Sequence, residues 1–388
     1  MSGARSAEQK QLAASLHGLL AAADVPGAAR RWAGGDRADG LALWRKLAGL
    51  GVSGLAVPPR YGGLGASFAD VVVACEELGH HAVPGPVAET AAAVPTLIAG
   101  LADERLCARW LPGLAAGDLL ATLALPPWRP YAADADAAGL ILLAEPGAVR
   151  LAAAGARYRS VDPARSLSEV SGREVLARGP AVATAVARAR EAGTLACAAQ
   201  LLGAGRALLE ASVSHARQRV QFGRPVGTFQ AVKHQLADVA IGLEFAGPLL
   251  DAAAAAVSNG EATAARDVSA AKVACTSAAQ RAARAALQVH GAIGYTQEHD
   301  LHLWLAKVRA LAGAWGSQSE HRARVMASVA ADGGLTEPAW SCPSWPGPRS
   351  IGICATRSAA CWRTSSGEPR PTAMTAGRCG SGCAARSA

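Results

Sequence analysis

Two glycine-interrupted segments constrain this chain more than any other feature of its sequence. The first, residues 219–230 (RVQFGRPVGTFQ), predicts a helix end with two guanidinium groups, a break at Phe222-Gly223 and a new helix after Pro225. The second, residues 288–295 (QVHGAIGY), predicts a helix that ends in a glycine-rich turn, where backbone N–H groups are open to an anion. Arginine forks bind phosphate through two parallel hydrogen bonds. Together the segments indicate a dinucleotide-like ligand.

The composition favours a helical protein with a large apolar core. Hydrophobic residues make up 51% of the 388 residues but aromatic residues only 4%, so the core is built mainly from alanine, leucine and valine. Alanine and leucine are strong helix formers. The formal net charge of +8 comes from scattered arginines without aromatic stacking platforms. This pattern indicates a solvated surface and argues against a nucleic-acid partner.

Neither a membrane span nor a metal site is predicted. No apolar run follows a basic N-terminal segment, and no apolar stretch without charges is long enough to cross a bilayer. These two observations predict a cytoplasmic protein. Glu298, His299 and His302 suit a helix start better than a metal site, because no third ligand stands at metal spacing. The five cysteines within 342–383 also lack zinc-ligand spacing. Four further cysteines are expected to be isolated buried thiols: Cys75, Cys107, Cys197 and Cys275.

The texture of the sequence divides the chain into four parts. Residues 1–117 carry apolar positions at three- and four-residue spacing and predict a helical domain. Residues 118–180 carry short apolar or alternating runs between Pro, Gly and Asp, which predict a small β-domain. Residues 181–332 return to long helical patterns, as in a bundle. Residues 333–388 have low complexity and no periodicity, which predicts a disordered tail and suggests the product of a frame slip in a GC-rich gene.

Helix ends in the third part can be predicted from periodicity. A kink rather than a break is expected at Gly247-Pro248, since proline removes a backbone donor but the apolar pattern continues. The expected helices lie near residues 183–218, 230–258, 262–290 and 299–312, with a further piece at 317–330.

A glycine-rich loop precedes a helix in the first part. Residues 58–67 (PPRYGGLGAS) form a turn cluster that no helix could contain. Ser67 is expected to cap a helix over Phe68 to Leu78, which carries the pair Glu76-Glu77.

These motifs resemble one family of flavoenzymes. The Arg-x-x-Phe-Gly-x-Pro segment from Arg219, followed by the Gln-x-x-Gly-x-x-Gly turn from Gln288, resembles the C-terminal domain of the acyl-CoA dehydrogenases, which desaturate acyl-CoA thioesters. The Tyr-Gly-Gly-x-Gly loop and the helix with its Glu-Glu pair resemble the N-terminal domain of the same family. The resemblance covers most of 43–322. It implies a mainly α fold with an N-terminal helical domain, a small middle β-domain and a C-terminal four-helix bundle.

The resemblance also implies a cofactor, FAD, and a way of holding it. Arg219 matches the residue that binds the flavin pyrophosphate, and Ala292 stands where the family usually has glycine. In the family, the residues that match Arg219, Phe222 and Gln230 contact the cofactor of a neighbouring subunit, which implies a homodimer, a homotetramer or a paralogous partner. The residues that match positions at the adenosine and pyrophosphate are Gln288, Gly291 and Gly294.

The catalytic base is the point at which the chain departs from the family. Desaturation needs a carboxylate that takes the α-proton while a hydride leaves the β-carbon for flavin N5. In the commonest branch of the family, a glutamate before a glycine follows the last-but-one helix, and the ungapped position here is Trp315. A second branch has its base near the start of the first bundle helix. An ungapped count back from Arg219 reaches Gly193 at that position. Glu191, two residues away, is a candidate base, and Glu320 is a further one.

Two functions follow from this resemblance. The first is an active FAD-dependent acyl-CoA dehydrogenase that acts on an acyl-CoA or acyl-carrier thioester, uses Glu191 or an unrecognised base, and passes electrons to an electron-transfer flavoprotein. The second is a non-catalytic subunit that completes the FAD site of a partner in a hetero-oligomer. An oxidase or oxygenase on the same scaffold is a third option. The family's acidic flavin-contact loop in the middle domain has no match, and residues 125–128 (LPPW) stand near its place.

Overall fold

The computed structural model describes residues 5–331 of the chain, so the tail predicted at 333–388 lies outside the described residues. Within this range, helices make up an N-terminal and a C-terminal region, and a small sheet lies between them in sequence. The helices are α1 (Ala7–Ala21), α2 (Val25–Ala33), α3 (Ala38–Gly49), α4 (Phe68–His80), α5 (Val94–Gly100), α6 (Glu104–Ala115), α7 (Pro180–Gln218), α8 (Gln230–Asn259), α9 (Ala264–His290), α10 (Leu301–Gly313) and α11 (Gln318–Ala331).

The predicted start of α4 is confirmed. Ser67 is its N-cap, with an extended backbone. The Asp70 carboxylate accepts hydrogen bonds from both the Ser67 hydroxyl (2.7 Å) and the Ser67 backbone N–H (3.0 Å). The helix continues two residues beyond the predicted Leu78, to His80. The turn cluster before it includes a 3₁₀ turn at Pro59–Tyr61, and Gly62 follows at a φ of 83°, which favours glycine.

Replacing Ser67 by alanine is expected to lower the free energy of unfolding by about 1 kcal/mol, because the substitution removes the hydroxyl from the cap of α4. Urea denaturation of the two proteins measures this difference. Ser214→Ala, at an exposed position inside α7, is the matched control and should change stability by less than about 0.5 kcal/mol. Equal losses in the two variants would show that the cap does not stabilise α4.

The middle region is a five-stranded sheet in the order β1-β3-β4-β5-β2. β1 runs parallel to β3, with Ala121 opposite Leu140, and the other pairs are antiparallel. Leu140 and Leu142 belong to the same apolar core as Leu195 of α7, so the sheet packs on the helical part. The strands are β1 (Ala121–Ala124), β2 (Ala132–Ala133), β3 (Leu140–Glu145), β4 (Ala148–Arg159) and β5 (Ser166–Arg178).

The C-terminal helices follow the sequence prediction closely, with every end within three residues of its expected place. α8 continues through Pro248 as one helix. α4 and α7 meet backbone to backbone at two glycines. A Cβ on Gly203 would lie 1.9 Å from the Glu76 carbonyl oxygen, and one on Gly79 would lie 2.2 Å from the Gln200 carbonyl oxygen. This close approach joins the N-terminal helices to the bundle.

The predicted lack of an uncharged apolar stretch of bilayer length holds, since Arg206 lies inside α7 and Glu244 lies inside α8, but the mean hydropathy of both helices is high. α7 and α8 are each long and apolar enough to cross a bilayer, and the bent pair α1 and α2 would add a third candidate. The apolar stretch of α7 is 89% buried inside the protein, whereas that of α8 is 44% buried. α7 therefore uses its apolar surface for the core, and α8 keeps an apolar face outside. The prediction of four buried cysteines is confirmed for the described range: Cys75, Cys107, Cys197 and Cys275 are buried free thiols.

Candidate active site

The first predicted segment forms a hairpin at the end of α7. Arg219 is the C-cap of α7, and its backbone N–H donates to the His215 carbonyl (2.8 Å). Two short strands follow, β6 (Val220–Gln221) and β7 (Arg224–Pro225). Phe222 at the hairpin tip has a φ of 53° and is 91% exposed. A phenylalanine held out of the core in the left-handed region indicates a contact surface rather than a packing position.

The second predicted segment is a 3₁₀ turn that follows α9. Gly291 has a φ of 62°, and a Cβ added there would meet no atom within 4 Å. The backbone conformation, and not crowding, therefore explains this glycine. Gly294 is buried, and its added Cβ would press on His290 (3.1 Å). Gln288 is exposed in the last turn of α9.

The two segments meet at one end of the bundle. The His215 ring of α7 lies 4.3 Å from the His290 ring of α9, and His290 lies 5.1 Å from His299 (centroid distances). Burial lowers the pKa of His215, and the neighbouring His290, His299 and Arg219 lower it further. Such a gathering of cationic and imidazole groups suits an anionic ligand.

The side chains at this end are open to a ligand. Among residues 5–331, the Arg219 guanidinium has neither an ion pair nor a hydrogen bond, and it is exposed. Gln230 is exposed at the first position of α8. A guanidinium fork, a side-chain amide and a glycine turn are groups that commonly bind phosphate.

Trp315 occupies a different place, in the loop between α10 and α11. Its side chain is only 1% exposed, and its φ of 57° is rare for a bulky residue. The Trp315 carbonyl accepts a hydrogen bond from His321 Nε2 (2.8 Å), and His321 Nδ1 lies 3.1 Å from Ser269 Oγ. A Cβ on Gly316 would lie 2.6 Å from the His321 ring, so the turn requires glycine. α9 and α11 thus hold Trp315 in place.

The indole ring of Trp315 fills the space beside α7. A Cβ on Gly193 would lie 2.3 Å from the ring, so the glycine admits it. Trp128 packs edge-on at 5.9 Å between centroids, and the Arg129 guanidinium lies 4.5 Å above the ring. Arg129 forms a buried ion pair with Glu89. The position that the resemblance assigns to a base therefore lies in a packed aromatic cluster, and the Trp315 indole itself accepts no proton.

Glu191, the alternative base, lies on α7 two residues before Gly193. Its carboxylate accepts hydrogen bonds from both terminal nitrogens of Arg324 on α11, at 3.0 and 2.5 Å. Glu191 is 8% exposed. Burial raises the pKa of this carboxyl, although Arg324 opposes the shift. A partly desolvated carboxylate with a raised pKa suits a general base, but the ion pair must open for it to act.

Two cavities meet at Glu191. One of about 580 Å³ lies between the N-terminal helices and the bundle, and its lining includes Phe68, Thr96 and Glu261. The other, of about 330 Å³, lies between the sheet and the bundle, and its lining includes Trp128 and Arg324. Glu191 lines both. Glu320, the further candidate, instead caps α11: its carboxylate accepts hydrogen bonds from the Ser317 backbone and hydroxyl, which lower its pKa.

Comparisons with known proteins decide the family. The family model for the acyl-CoA dehydrogenase N-terminal domain matches residues 6–118, and the model for the C-terminal domain matches residues 182–330. The acyl-CoA dehydrogenase IpdE2 of Mycobacterium tuberculosis is 31% identical over 328 residues, which are 83% of this chain and 97% of that protein. The chain belongs to the acyl-CoA dehydrogenase family. The sheet β1–β5 lies between the two matched ranges.

A further relative supports the same family, and two solved structures support the fold. FadE34 of M. tuberculosis is 34% identical over 300 residues, which are 72% of this chain and 41% of that protein. Butyryl-CoA dehydrogenase from Megasphaera elsdenii has a TM-score of 0.74 at 19% identity and covers 85% of this chain and 100% of its own. The ChsE4-ChsE5 complex from M. tuberculosis has a TM-score of 0.73 at 24% identity. The match covers 85% of this chain and 99% of the chain in that complex. The predicted fold is thus confirmed.

The structure separates the predicted site residues into two groups. Arg219, Phe222, Gln230 and the turn from Gln288 to Gly294 lie at the hairpin end of the bundle. Trp315 packs on Gly193 of α7, and Glu191, two residues earlier, lines the cavity beside the sheet. Sequence reasoning missed Arg324, Arg129 and Glu89, whose roles arise from contacts across the fold. Of these three residues, only Arg129 stood beside a segment that the sequence analysis had singled out, since it directly follows residues 125–128 (LPPW).

Proposed function

We propose that this chain is a subunit of a FAD-dependent acyl-CoA dehydrogenase and that it completes the FAD site of a partner subunit. The observation that carries this proposal is the buried Trp315 at the position of the base, in a chain that keeps an exposed Arg219, Phe222 and Gln230. A subunit that gives its surface to a neighbour's cofactor needs Arg219, Phe222 and Gln230 but not the base.

The FAD contacts follow from the open end of the bundle. Arg219 holds the pyrophosphate with its fork, and Phe222 and Gln230 border the same cofactor. Gln288, Gly291 and Gly294 receive the adenosine and pyrophosphate part at the turn after α9, where glycine admits close approach. When bound, FAD supplies the acceptor for the hydride that leaves the β-carbon of the thioester.

The remaining chemistry divides between the subunits. An indole has no basic lone pair, so Trp315 takes no α-proton, and the partner supplies the carboxylate. Trp315, Trp128 and Arg129 instead keep water out of this subunit's own site by filling it. The ChsE4-ChsE5 complex is a precedent within the fold for pairing two different chains.

Assembly is also supported by the outer face of α8. Ile241, Phe245 and Leu249 follow one another at four-residue spacing and are 53%, 74% and 46% exposed. An apolar stripe of this kind marks an interaction surface. We place the assembly in the cytoplasm, with an acyl-CoA or acyl-carrier thioester as substrate and an electron-transfer flavoprotein as electron acceptor.

The FAD content of the purified chain tests this assignment. The chain alone is expected to retain substoichiometric FAD, and co-expression with a paralogous subunit that carries a base should raise the content. A full equivalent of FAD in the chain alone would contradict the dependence on a partner subunit.

A second function is favoured by one observation: Glu191 lines both cavities and has a raised pKa. In that case the chain desaturates thioesters as a homo-oligomer, with Glu191 taking the α-proton once Arg324 releases it.

Glu191→Gln separates the two functions. If Glu191 is the base, the nearly isosteric amide should lower turnover by about 100-fold or more, since general-base catalysis contributes at least that much. The wild-type rate should then fall as pH drops through the raised pKa of Glu191, because only the ionised form accepts a proton. Glu261→Gln, in the lining of the same cavity, is the control. Unchanged turnover in Glu191→Gln would remove Glu191 as the base.

A further inference from the structure

Three histidines and one glutamate lie together between α1 and the end of α4. His17 belongs to α1, Glu77 and His80 belong to α4, and His81 follows α4. One ligand atom from each of the four lies within 4.8 Å of the others. The His17 side chain is 52% exposed and that of Glu77 is 16% exposed, so an ion reaches the cluster from solvent. The proposed flavin chemistry uses none of these residues.

Three of the ligand atoms have the spacing of a tetrahedral metal site. His17 Nδ1 lies 3.2 Å from His81 Nε2 and 3.3 Å from Glu77 Oε2. Zinc binds imidazole nitrogen at about 2.0–2.1 Å, and this bond length separates two ligands of a tetrahedron by roughly 3.3 Å. Both distances in the cluster match that value.

Protons alone satisfy this arrangement poorly. His17 Nδ1 holds either one hydrogen or one lone pair, yet it faces both a carboxylate oxygen and a second ring nitrogen. A single N–H would have to be divided between Glu77 and His81, and a lone pair would face the carboxylate. One cation at the centre accepts a lone pair from each of the three atoms.

His80 supplies the independent second observation. Its Nε2 lies 3.0 Å from the Glu210 carboxylate of α7, and its Nδ1 is buried without a hydrogen-bond partner among residues 5–331. A histidine that binds a metal commonly donates its other ring N–H to a carboxylate, which fixes the tautomer. With its proton on Nε2 toward Glu210, His80 has an unused lone pair on Nδ1.

We propose that His17, Glu77, His80 and His81 bind one divalent cation of the zinc type. Three imidazoles and one carboxylate suit zinc and its neighbours in the transition series, whereas calcium and magnesium prefer oxygen ligands. The end of α4 is already fixed, because Trp304 Nε1 donates to the His80 carbonyl (2.7 Å). The ion therefore fastens α1 to this fixed point. The sequence carried no signal for this cluster, since His17 and His81 are far apart in sequence.

A zinc titration of the metal-stripped full chain tests the site. The wild type is expected to bind one zinc per chain, and His17→Ala and His81→Ala should each weaken binding by about tenfold or more, as loss of a ligand does. His234→Ala, at an exposed histidine of α8, is the control and should leave the affinity unchanged. Cobalt bound in place of zinc should show the visible absorption of a tetrahedral site.

Heat denaturation gives a second readout. At one fixed zinc concentration, zinc should raise the Tm of the wild type by about 3 °C and that of His17→Ala by clearly less, because the variant gains less binding free energy in the folded state. Absence of stoichiometric zinc binding, or equal affinity in wild type and both histidine variants, would overturn the proposal. Neither readout needs FAD or a partner subunit, so its outcome is independent of the proposed function.

Discussion

Trp315→Ala is expected to lower the free energy of unfolding by about 3–5 kcal/mol, because it empties the space of a fully buried indole. The ring has contacts on several sides: Gly193 of α7, Trp128 edge-on and the Arg129 guanidinium above. The residual cavity closes only in part, since α7 is also packed backbone to backbone on α4 at Gly203. Urea denaturation followed by circular dichroism measures the loss. Trp315→Phe, which keeps an aromatic ring, should lower the free energy of unfolding by much less.

A double-mutant cycle shows whether the Trp315 ring itself causes the loss. Gly193→Ala should destabilise the wild type by about 1–3 kcal/mol, since its Cβ would lie 2.3 Å from the indole. In the Trp315→Ala background the same change should cost less than about 0.5 kcal/mol, because the clash is gone. Additive effects of the two substitutions would show that Trp315 does not fill the space beside Gly193. The interpretation of Trp315 as part of a packed cluster at the base position would then be wrong.

Arg219→Ala is expected to weaken FAD binding to the assembled enzyme by about 30-fold to 150-fold. A hydrogen-bonded charge pair is worth about 2–3 kcal/mol, and each 1.4 kcal/mol is a factor of ten. The guanidinium is exposed in the subunit and has no partner among the described residues, so its loss acts on the cofactor and leaves the fold intact. The FAD dissociation constant, measured by flavin fluorescence, gives the effect.

Two further variants complete the Arg219 experiment. Arg219→Lys keeps the charge but loses the fork, and it should fall between wild type and alanine. Arg105→Ala removes an exposed arginine of α6, and its FAD affinity should equal that of the wild type. If Arg105→Ala loses as much affinity as Arg219→Ala, net charge rather than a specific phosphate contact governs binding.

Much of the fold follows from local sequence signals. The long bundle helices have strong apolar periodicity and clear ends, such as Gly260 after α8 and Gly291 after α9, so their bounds could be predicted to within three residues. The sheet was harder. β4 and β5 extend into exposed stretches, around Arg157 and Arg173, where no apolar alternation marks a strand. Their pairing with each other, and not their composition, makes them strands.

The candidate site divides in the same way. Arg219 and Gln288 stand in local motifs, and the sequence therefore predicted that they share a ligand. Arg324 on Glu191 and Arg129 on Trp315 arise only when distant elements pack together, and a single sequence carries no signal for that.

The most direct test of the central claim is an anaerobic titration of the purified chain alone, supplied with FAD, with a panel of acyl-CoA thioesters while flavin absorbance is followed. The account predicts no bleaching by any thioester, because Trp315 replaces the base, and bleaching once a partner subunit with a carboxylate base is co-expressed. Bleaching of the flavin by a thioester in the chain alone would contradict the account, since flavin and a working base would then coexist in this one chain.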